Sequence, residues 1–500
     1  MSDRTQRFDR AHMLGVLRDR TEPFDIVVIG GGATGLGVAL DAASRGLSVA
    51  LIEQGDFAHA TSSMSTKLVH GGVRYLQRGD VGLVREALHE RSVILRNAPH
   101  VAHALEFVVP AYGLWDKPYF GTGMKVYDLL AGRHGIGHSR ILSLKHTLER
   151  VPMAKREGLR GGVRYYDGQF DDARLALIIG KTAAKHGAVV VNYVRAVGLR
   201  RSAKGRIESV EARDVESGEE FVIRAHAVIN AGGPFSDAVR TMADKGAKAF
   251  IAPSRGSHVV LDRSFLGGGA ALLVPKTPDG RVMFAIPFCG ATLVGTTDVP
   301  MDSPEDPTHA TEEEIGQILE TAGEYLERKP TRADVRATFA GVRPLVRGDA
   351  GSTAKLSREH LVLVDEQARM VSIMGGKWTT YRRMAAETVD RARAFLGSGI
   401  GPSRTERIRL HGWTERVSRE PLGRYGSDEP RVRELIASDP SMGEVLVTSP
   451  AGDLTRGEVE WMRREEMART TEDVLKRRSR AGVVGEVEAA EVTVGELLGR

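Results

Sequence analysis

One cysteine, Cys289, is all that 500 residues contain. That excludes an internal disulfide framework and a cysteine-based zinc site, and no metal centre is expected. A lone thiol permits a reducing compartment without proving one. Nowhere do 18 apolar residues follow one another, so a spanning helix is not expected. The stretch Met1–Arg20 lacks the apolar core and cleavage pattern of a signal peptide. It reads as a short lead-in helix or a frayed arm. Tandem repeats and long low-complexity tracts are absent. So is any basic run interleaved with aromatics, or a recognisable nucleic-acid motif, which leaves a non-enzymatic nucleic-acid- or membrane-binding protein as a remote reading. The net charge of +5 is spread along the chain. It serves solubility first, and attraction to anionic substrates or lipid second.

What is present points to an enzyme. The length allows two or three domains, and 41% hydrophobic with 27% charged residues is ordinary for a globular protein. Residues 25–76 read as strand, glycine turn, helix, strand with a terminal acid, and a loop full of donors. The turn Gly30-Gly31-Gly32-Ala33-Thr34-Gly35 lies between Phe24–Ile29 and the helical run Leu36–Arg45. Gly30, Gly32 and Gly35 let the backbone approach a pyrophosphate at a helix N-terminus. Glu53 closes the strand Ser48–Ile52 and can accept hydrogen bonds from an adenosine ribose. The loop Ala60–Tyr75 brings Thr61, Ser62, Ser63, Lys67, His70, Gly71 and Gly72 as further cofactor contacts. A purely structural turn would leave Glu53 and that loop unexplained.

The strand–glycine form returns twice, at Ala227–Pro234 with Ala231 and Gly232, and at Arg369–Thr380 with Gly375, Gly376 and Thr379. A helical stretch from Tyr381 to about Leu396 follows. Contacts scattered over three segments suit a long cofactor such as FAD, lying on a domain that another domain interrupts. The interruptions look β-rich, with short runs at Val259–Leu261, Ala271–Val274, Val282–Ile286 and Thr292–Gly295. Thr311-Glu312-Glu313-Glu314 has the form of a capping box. Beyond Gly397 the chain turns helical and charged, Trp461–Arg480 being one such stretch. The expected architecture is α/β: a discontinuous Rossmann-like FAD-binding domain (24–105, 167–250 and 340–397), an antiparallel-β substrate-binding domain (106–166 and 251–339), a C-terminal helical domain (398–500) and an N-terminal extension (1–23).

Four segments together carry a resemblance. They are Gly30–Gly35 with Glu53; Thr61–Tyr75; Gly295-Thr296-Thr297-Asp298 with Gly341-Val342-Arg343-Pro344-Leu345; and Gly375-Gly376-Lys377 with Thr379-Thr380-Tyr381-Arg382. In order and spacing, from Phe24 to Arg480, the chain resembles the FAD-dependent, quinone-linked glycerol-3-phosphate dehydrogenase family. The segment Glu472–Arg478 resembles that family's end domain. Trp378, where relatives often carry a smaller apolar residue, and the extension before Phe24 depart from the pattern.

The resemblance implies hydride transfer from sn-glycerol 3-phosphate to FAD, giving dihydroxyacetone phosphate, with the electrons passed to a membrane quinone. A phosphate dianion needs cations, and Arg74, Arg343, Arg358 and Lys377 lie in or beside the matching segments. The alcohol proton needs a base. His258 matches a histidine of the family and starts a β run; His70 sits in the flavin loop and is expected against the cofactor. Tyr75 can orient substrate or pack behind the flavin. His258, Arg343 and Lys377 are thus the expected catalytic group. His70 and Cys289 are conceivable points of covalent flavin attachment, non-covalent binding being the expectation. An alpha-glycerophosphate oxidase, which uses oxygen and releases hydrogen peroxide, shares every motif; the insertion associated with it is not seen here. An amine or amino-acid oxidase would need a carboxylate clamp instead of these cations. A quinone-linked enzyme without a spanning helix is expected at the cytoplasmic face of the cell membrane, bound peripherally to anionic lipid. Arg10–Arg20 and the basic C-terminal helices are the candidate contact surfaces. The oligomeric state stays open, with a homodimer among the options.

Overall fold

Continuous apolar runs such as Phe24–Ile29, Val49–Ile52 and Val189–Val191 belong to strands covered on both faces. The computed structural model, which describes residues 7–72, 80–275, 277, 282–306, 309–347, 360–397, 399–485 and 487–499, places them so. Its first sheet runs in the order His360–Asp365, Met370–Gly375, Glu220–Asn230, Phe24–Ile29, Val49–Ile52 and Val189–Val191. The last five are parallel, and His360–Asp365 pairs antiparallel at the edge. Helices Ala33–Ser44, Asp172–Lys185 and Tyr381–Ala392 cover it, packing apolar faces over one large core. The near end of Glu220–Asn230 also pairs antiparallel with Ile207–Asp214, which in turn pairs antiparallel with Val194–Arg201.

The second sheet is mainly antiparallel, as expected for the interrupting parts. Among the described residues it has ten strands, including Leu68–Val69, Ala102–Ala111, Gly161–Phe170, Ile251–Asp262, Ala271–Val274, Met283–Phe288, Ala291–Gly295 and Val335–Val346. The limits at 105, 166 and 339 fall inside three of these strands. Helix Glu312–Gly323 opens with the capping box between Thr311 and Glu314.

Two expectations are corrected. The segment Trp461–Arg480 is not one helix. Arg456–Glu465 is α-helical, Met467 takes a left-handed φ of 53°, and Asp473–Arg478 forms a separate π-helical turn. Buried arginines force this shape: Arg477 and Arg478 turn inward to Asp56 rather than outward to solvent. The candidate membrane surfaces are in part consumed internally, although Arg431, Arg433 and Arg464 of the C-terminal helices stay exposed. Residues Arg10–Asp19 do form a helix, but Met13, Leu14 and Leu17 are buried against the core, each worth about 2 kcal/mol of apolar burial. Arg10 and Arg18 of that helix pair with Asp214, Glu216 and Glu219. The C-terminal arginines 477, 478 and 480 are buried in ion pairs.

Candidate active site

The glycine turn is built by close backbone approach. Gly30 has φ +112°, and a Cβ there would lie 2.5 Å from the Ala231 carbonyl oxygen. A Cβ on Gly35 would lie 1.9 Å from the Gly30 carbonyl oxygen, so helix and strand meet without room for a side chain. Gly32 is the N-cap of helix Ala33–Ser44 and supplies no side-chain cap, though Ser62 Oγ accepts from Ala33 N–H at 3.0 Å. A twelve-residue helix whose N-cap is a glycine without a side chain, behind a glycine turn, has the donor geometry that a pyrophosphate needs, so these residues fit a dinucleotide.

Glu53 stands beside that turn and braces it. Its carboxylate accepts from Gly31 N–H at 2.6 Å and from Gly55 N–H at 2.8 Å. Burial opposes its ionisation, but the hydrogen bond and charge of His59 with those two N–H groups outweigh it and hold the carboxyl below its ordinary value.

The donor loop ties three distant segments together. Thr61 Oγ1 donates to the Val342 carbonyl at 2.5 Å, next to Arg343. Ser62 O accepts from Trp378 Nε1 at 2.8 Å, next to Lys377, which gives Trp378 a partner in the loop. His70 N–H donates to Thr379 Oγ1 at 3.3 Å, and Gly71 N–H donates to Tyr127 OH at 2.8 Å. Ser63 and Lys67 are buried under the loop, where Lys67 Nζ donates to the Ser63 carbonyl and to Asp172. Gly72, Gly375 and Gly376 take positive φ at the loop end and at the end of Met370–Gly375. Ala231 N–H donates to Ile29 O at 2.9 Å, and Gly232 N–H to Asn230 Oδ1 at 3.1 Å, which carries the second glycine turn beside the first.

The loop also reaches the second sheet. Thr66 Oγ1 lies 3.0 Å from His258 Nε2, and the His258 ring stacks on Phe339 at 4.7 Å. Strand Ile251–Asp262 pairs with Val335–Val346, placing His258 opposite Phe339 and Ser254 opposite Arg343. Arg343 Nη1 donates to Asp298 Oδ1 at 3.2 Å and to the Arg255 carbonyl at 3.3 Å; Nη2 donates to Thr296 Oγ1 at 2.9 Å. A quarter of the Arg343 side chain stays exposed. Burial, then the cations Lys67 and Arg343, push the His258 imidazole well below its ordinary value, so it is neutral at pH 7. Burial likewise lowers Lys67 to about 8, against the pull of Asp172.

Of the residues read from sequence, His258, Arg343 and the loop Thr61–Gly72 converge, with Lys377 at the neighbouring segment. Arg74, Tyr75 and Arg358 lie outside the described residues. Asp172, Asp298 and Arg480, which hold Lys67, Arg343 and Asp172 in turn, were given no role from sequence; Asp298 ends the quoted Gly295–Asp298 motif, and the paired acids Asp171-Asp172 after the strand Gly161–Phe170 were the local signal for the other contact.

Residues 25–382 match the FAD dependent oxidoreductase family, and residues 367–499 match the C-terminal domain of alpha-glycerophosphate oxidase. The mitochondrial glycerol-3-phosphate dehydrogenase of Rattus norvegicus is 40% identical over 96% of this chain and 71% of its own length. That of Homo sapiens is 43% identical over 84% of this chain and 60% of its own length, so the chain spans about 60% of such relatives. The X-ray structure of the glycerol-3-phosphate dehydrogenase from Bacillus halodurans, complexed with FAD, superimposes with a TM-score of 0.77 at 29% identity, over 97% of this chain and 91% of that one. The glycine-turn fold, the loop that joins it to the second sheet and these matches lead to one conclusion: the chain belongs to the FAD-dependent oxidoreductases, in the family of the glycerol-3-phosphate dehydrogenases.

Proposed function

We propose that the protein oxidises sn-glycerol 3-phosphate to dihydroxyacetone phosphate. The observation that carries this reading is the donor loop: Thr61, Ser62, Thr66 and His70 join the glycine-turn domain to Val342, Trp378, His258 and Thr379. FAD, when bound, supplies the acceptor for the substrate's hydride and the route by which the electron pair reaches a quinone. Gly30–Gly35 and the N-terminus of helix Ala33–Ser44 would hold its pyrophosphate, and Glu53, beside that turn, would accept from its ribose hydroxyls. Arg343 grips the substrate phosphate with its guanidinium, oriented by Asp298 and Thr296; Lys377 adds a point charge. His258, neutral in its buried setting, takes the hydroxyl proton at Nε2 while the C–H hydride leaves, so one proton and one hydride depart together.

A quinone dissolves in the bilayer, so its reductase must reach lipid. Among the described residues no helix is long and apolar enough to cross a membrane. Helix Asp116–Ala131 supports a peripheral approach. Its inner face buries Met124 and Tyr127, and Tyr127 OH bonds the flavin loop at Gly71. Its outer side carries Trp115 and Leu129, 81% and 78% exposed, with Tyr119 and Val126 between them and Ile141 alongside. Exposed Lys125, Arg133, Arg140 and Lys145 rim it. An apolar stripe with a basic rim fits the interface of an anionic leaflet. We place this face on the cytoplasmic side of the cell membrane. Turnover with a quinone analogue and flotation with anionic liposomes test the reading; turnover with oxygen alone, by a protein that ignores lipid, would move it to an oxidase.

A further inference from the structure

The C-terminal domain sends one arginine into the base of the donor loop. Arg480, itself in a left-handed conformation with φ 69°, is buried. Its Nε donates to Asp171 Oδ1 at 2.9 Å, its Nη2 to Asp172 Oδ1, and its Nη1 to the Lys476 carbonyl at 2.9 Å. The other oxygen of Asp172 accepts from Lys67 Nζ at 2.7 Å, Ser65 Oγ at 2.6 Å and Ser65 N–H at 3.2 Å. Ser65 and Lys67 flank Thr66, whose hydroxyl touches His258. Lys67 Nζ lies 4.9 Å from the centre of the Phe339 ring on which His258 stacks.

A buried carboxylate with two oxygens facing two cations has only one comfortable orientation. Arg480 fixes one oxygen, so the other is aimed at the loop. A planar fork spanning Asp171 and Asp172 does this; a flexible point charge would not. We propose that Arg480 is a positioning residue for the redox site: through Asp172 it holds Ser65 and the charged Lys67, and so sets the Thr66–His258 contact and the local charge of the flavin loop. The inference rests on the reading that this loop lies against the flavin. It gives the C-terminal domain a part in the chemistry of a site made by the other two.

Lys67 is faced by Asp172, Asp171 and Arg480, with His258 beyond the loop and Cys289 near Asp171. Removing the Arg480 cation raises the affinity of Lys67 for its proton; removing the Asp172 anion lowers it. These signs follow from charge alone; what separates positioning from mere packing is a fall in kcat with KM kept and partial recovery in Arg480→Lys. The experiment uses the full chain loaded with FAD and follows the visible flavin spectrum against pH, which needs no turnover. The wild type should show a transition near pH 8, the value of Lys67. In Arg480→Gln it should move up, and in Asp172→Asn down, each by about half a unit or more. Turnover of glycerol 3-phosphate should fall on the order of ten- to a hundredfold in Arg480→Gln with little change in KM, and recover partly in Arg480→Lys. An Arg480→Gln protein that keeps both its transition and its kcat would overturn the proposal, as would shifts of one sign in both variants. If Arg480→Gln does not fold, wild-type kcat and transition in Arg480→Lys overturn it equally. A wild type with a normal flavin transition but no response to glycerol 3-phosphate would sink the substrate reading alone.

Discussion

At the scale of the residue, charge and burial decide the roles. Arg343 is oriented by Asp298 and Thr296 and keeps an exposed edge, the arrangement from which the phosphate-gripping role is proposed. Arg343→Ala should raise KM for glycerol 3-phosphate on the order of a hundredfold and barely alter any oxidation of glycerol. Arg343→Lys should recover only part of the loss, and an unchanged preference for the phosphorylated substrate removes Arg343 from the site. His258 works as a base only when neutral. Its value is depressed by burial, Lys67 and Arg343, so kcat at saturating substrate should stay level as pH falls through the usual histidine range and drop only below it. A limb in kcat near pH 6.5 that His258→Gln abolishes would contradict that depression. Glu53 braces the glycine turn, so Glu53→Ala leaves the buried Gly31 N–H unpaired, at about 1–3 kcal/mol, and the half-buried Gly55 N–H to solvent, and FAD retention on gel filtration should fall.

Elements differ in how far local sequence specifies them. The glycine-turn unit was legible because its strand, turn, helix and acid are contiguous and each leaves a local pattern. The capping box at Thr311 and the short strands at Ala271–Val274 and Ala291–Gly295 were legible for the same reason. The break after Glu465 was not. Its cause is Asp56, more than 400 residues away, which draws Arg477 and Arg478 inward. The outer face of Asp116–Ala131 escaped notice because its inner positions are apolar too, leaving no polar contrast to mark a surface. That face makes its own prediction. Trp115→Ser with Leu129→Ser removes about 3 kcal/mol of apolar transfer, on the order of a hundredfold in partitioning to anionic liposomes. Flotation at low and high salt measures it, with flavin reduction by substrate unchanged. Undiminished flotation would transfer the contact to another surface.

At the scale of the whole molecule, buried ion pairs join the first domain to the C-terminal domain. Asp56, in the first domain, receives Arg477 and Arg478 of the C-terminal domain. Burial opposes the ionisation of its carboxyl, but Arg478 and Arg477 outweigh it and lower it to about 2. Its folded value lies below the unfolded one of about 3.9, so the stabilisation is present above that pH and is lost as pH falls towards 2. Asp56→Ala removes the carboxylate that two buried guanidinium groups share, leaving Arg477 to Asp473 and Arg478 to Glu466, and should cost about 3–5 kcal/mol, read as a lower midpoint of thermal or urea unfolding. A midpoint within error of wild type would mean that the interface does not depend on this cluster. The central claim concerns the site between the two sheets, and anaerobic titration of the FAD-loaded protein tests it most directly. Glycerol 3-phosphate should bleach the flavin absorbance in the wild type, with glycerol far weaker and Arg343→Ala requiring much higher substrate concentration. A flavin that stays oxidised with glycerol 3-phosphate, or bleaches equally with glycerol, would contradict the account.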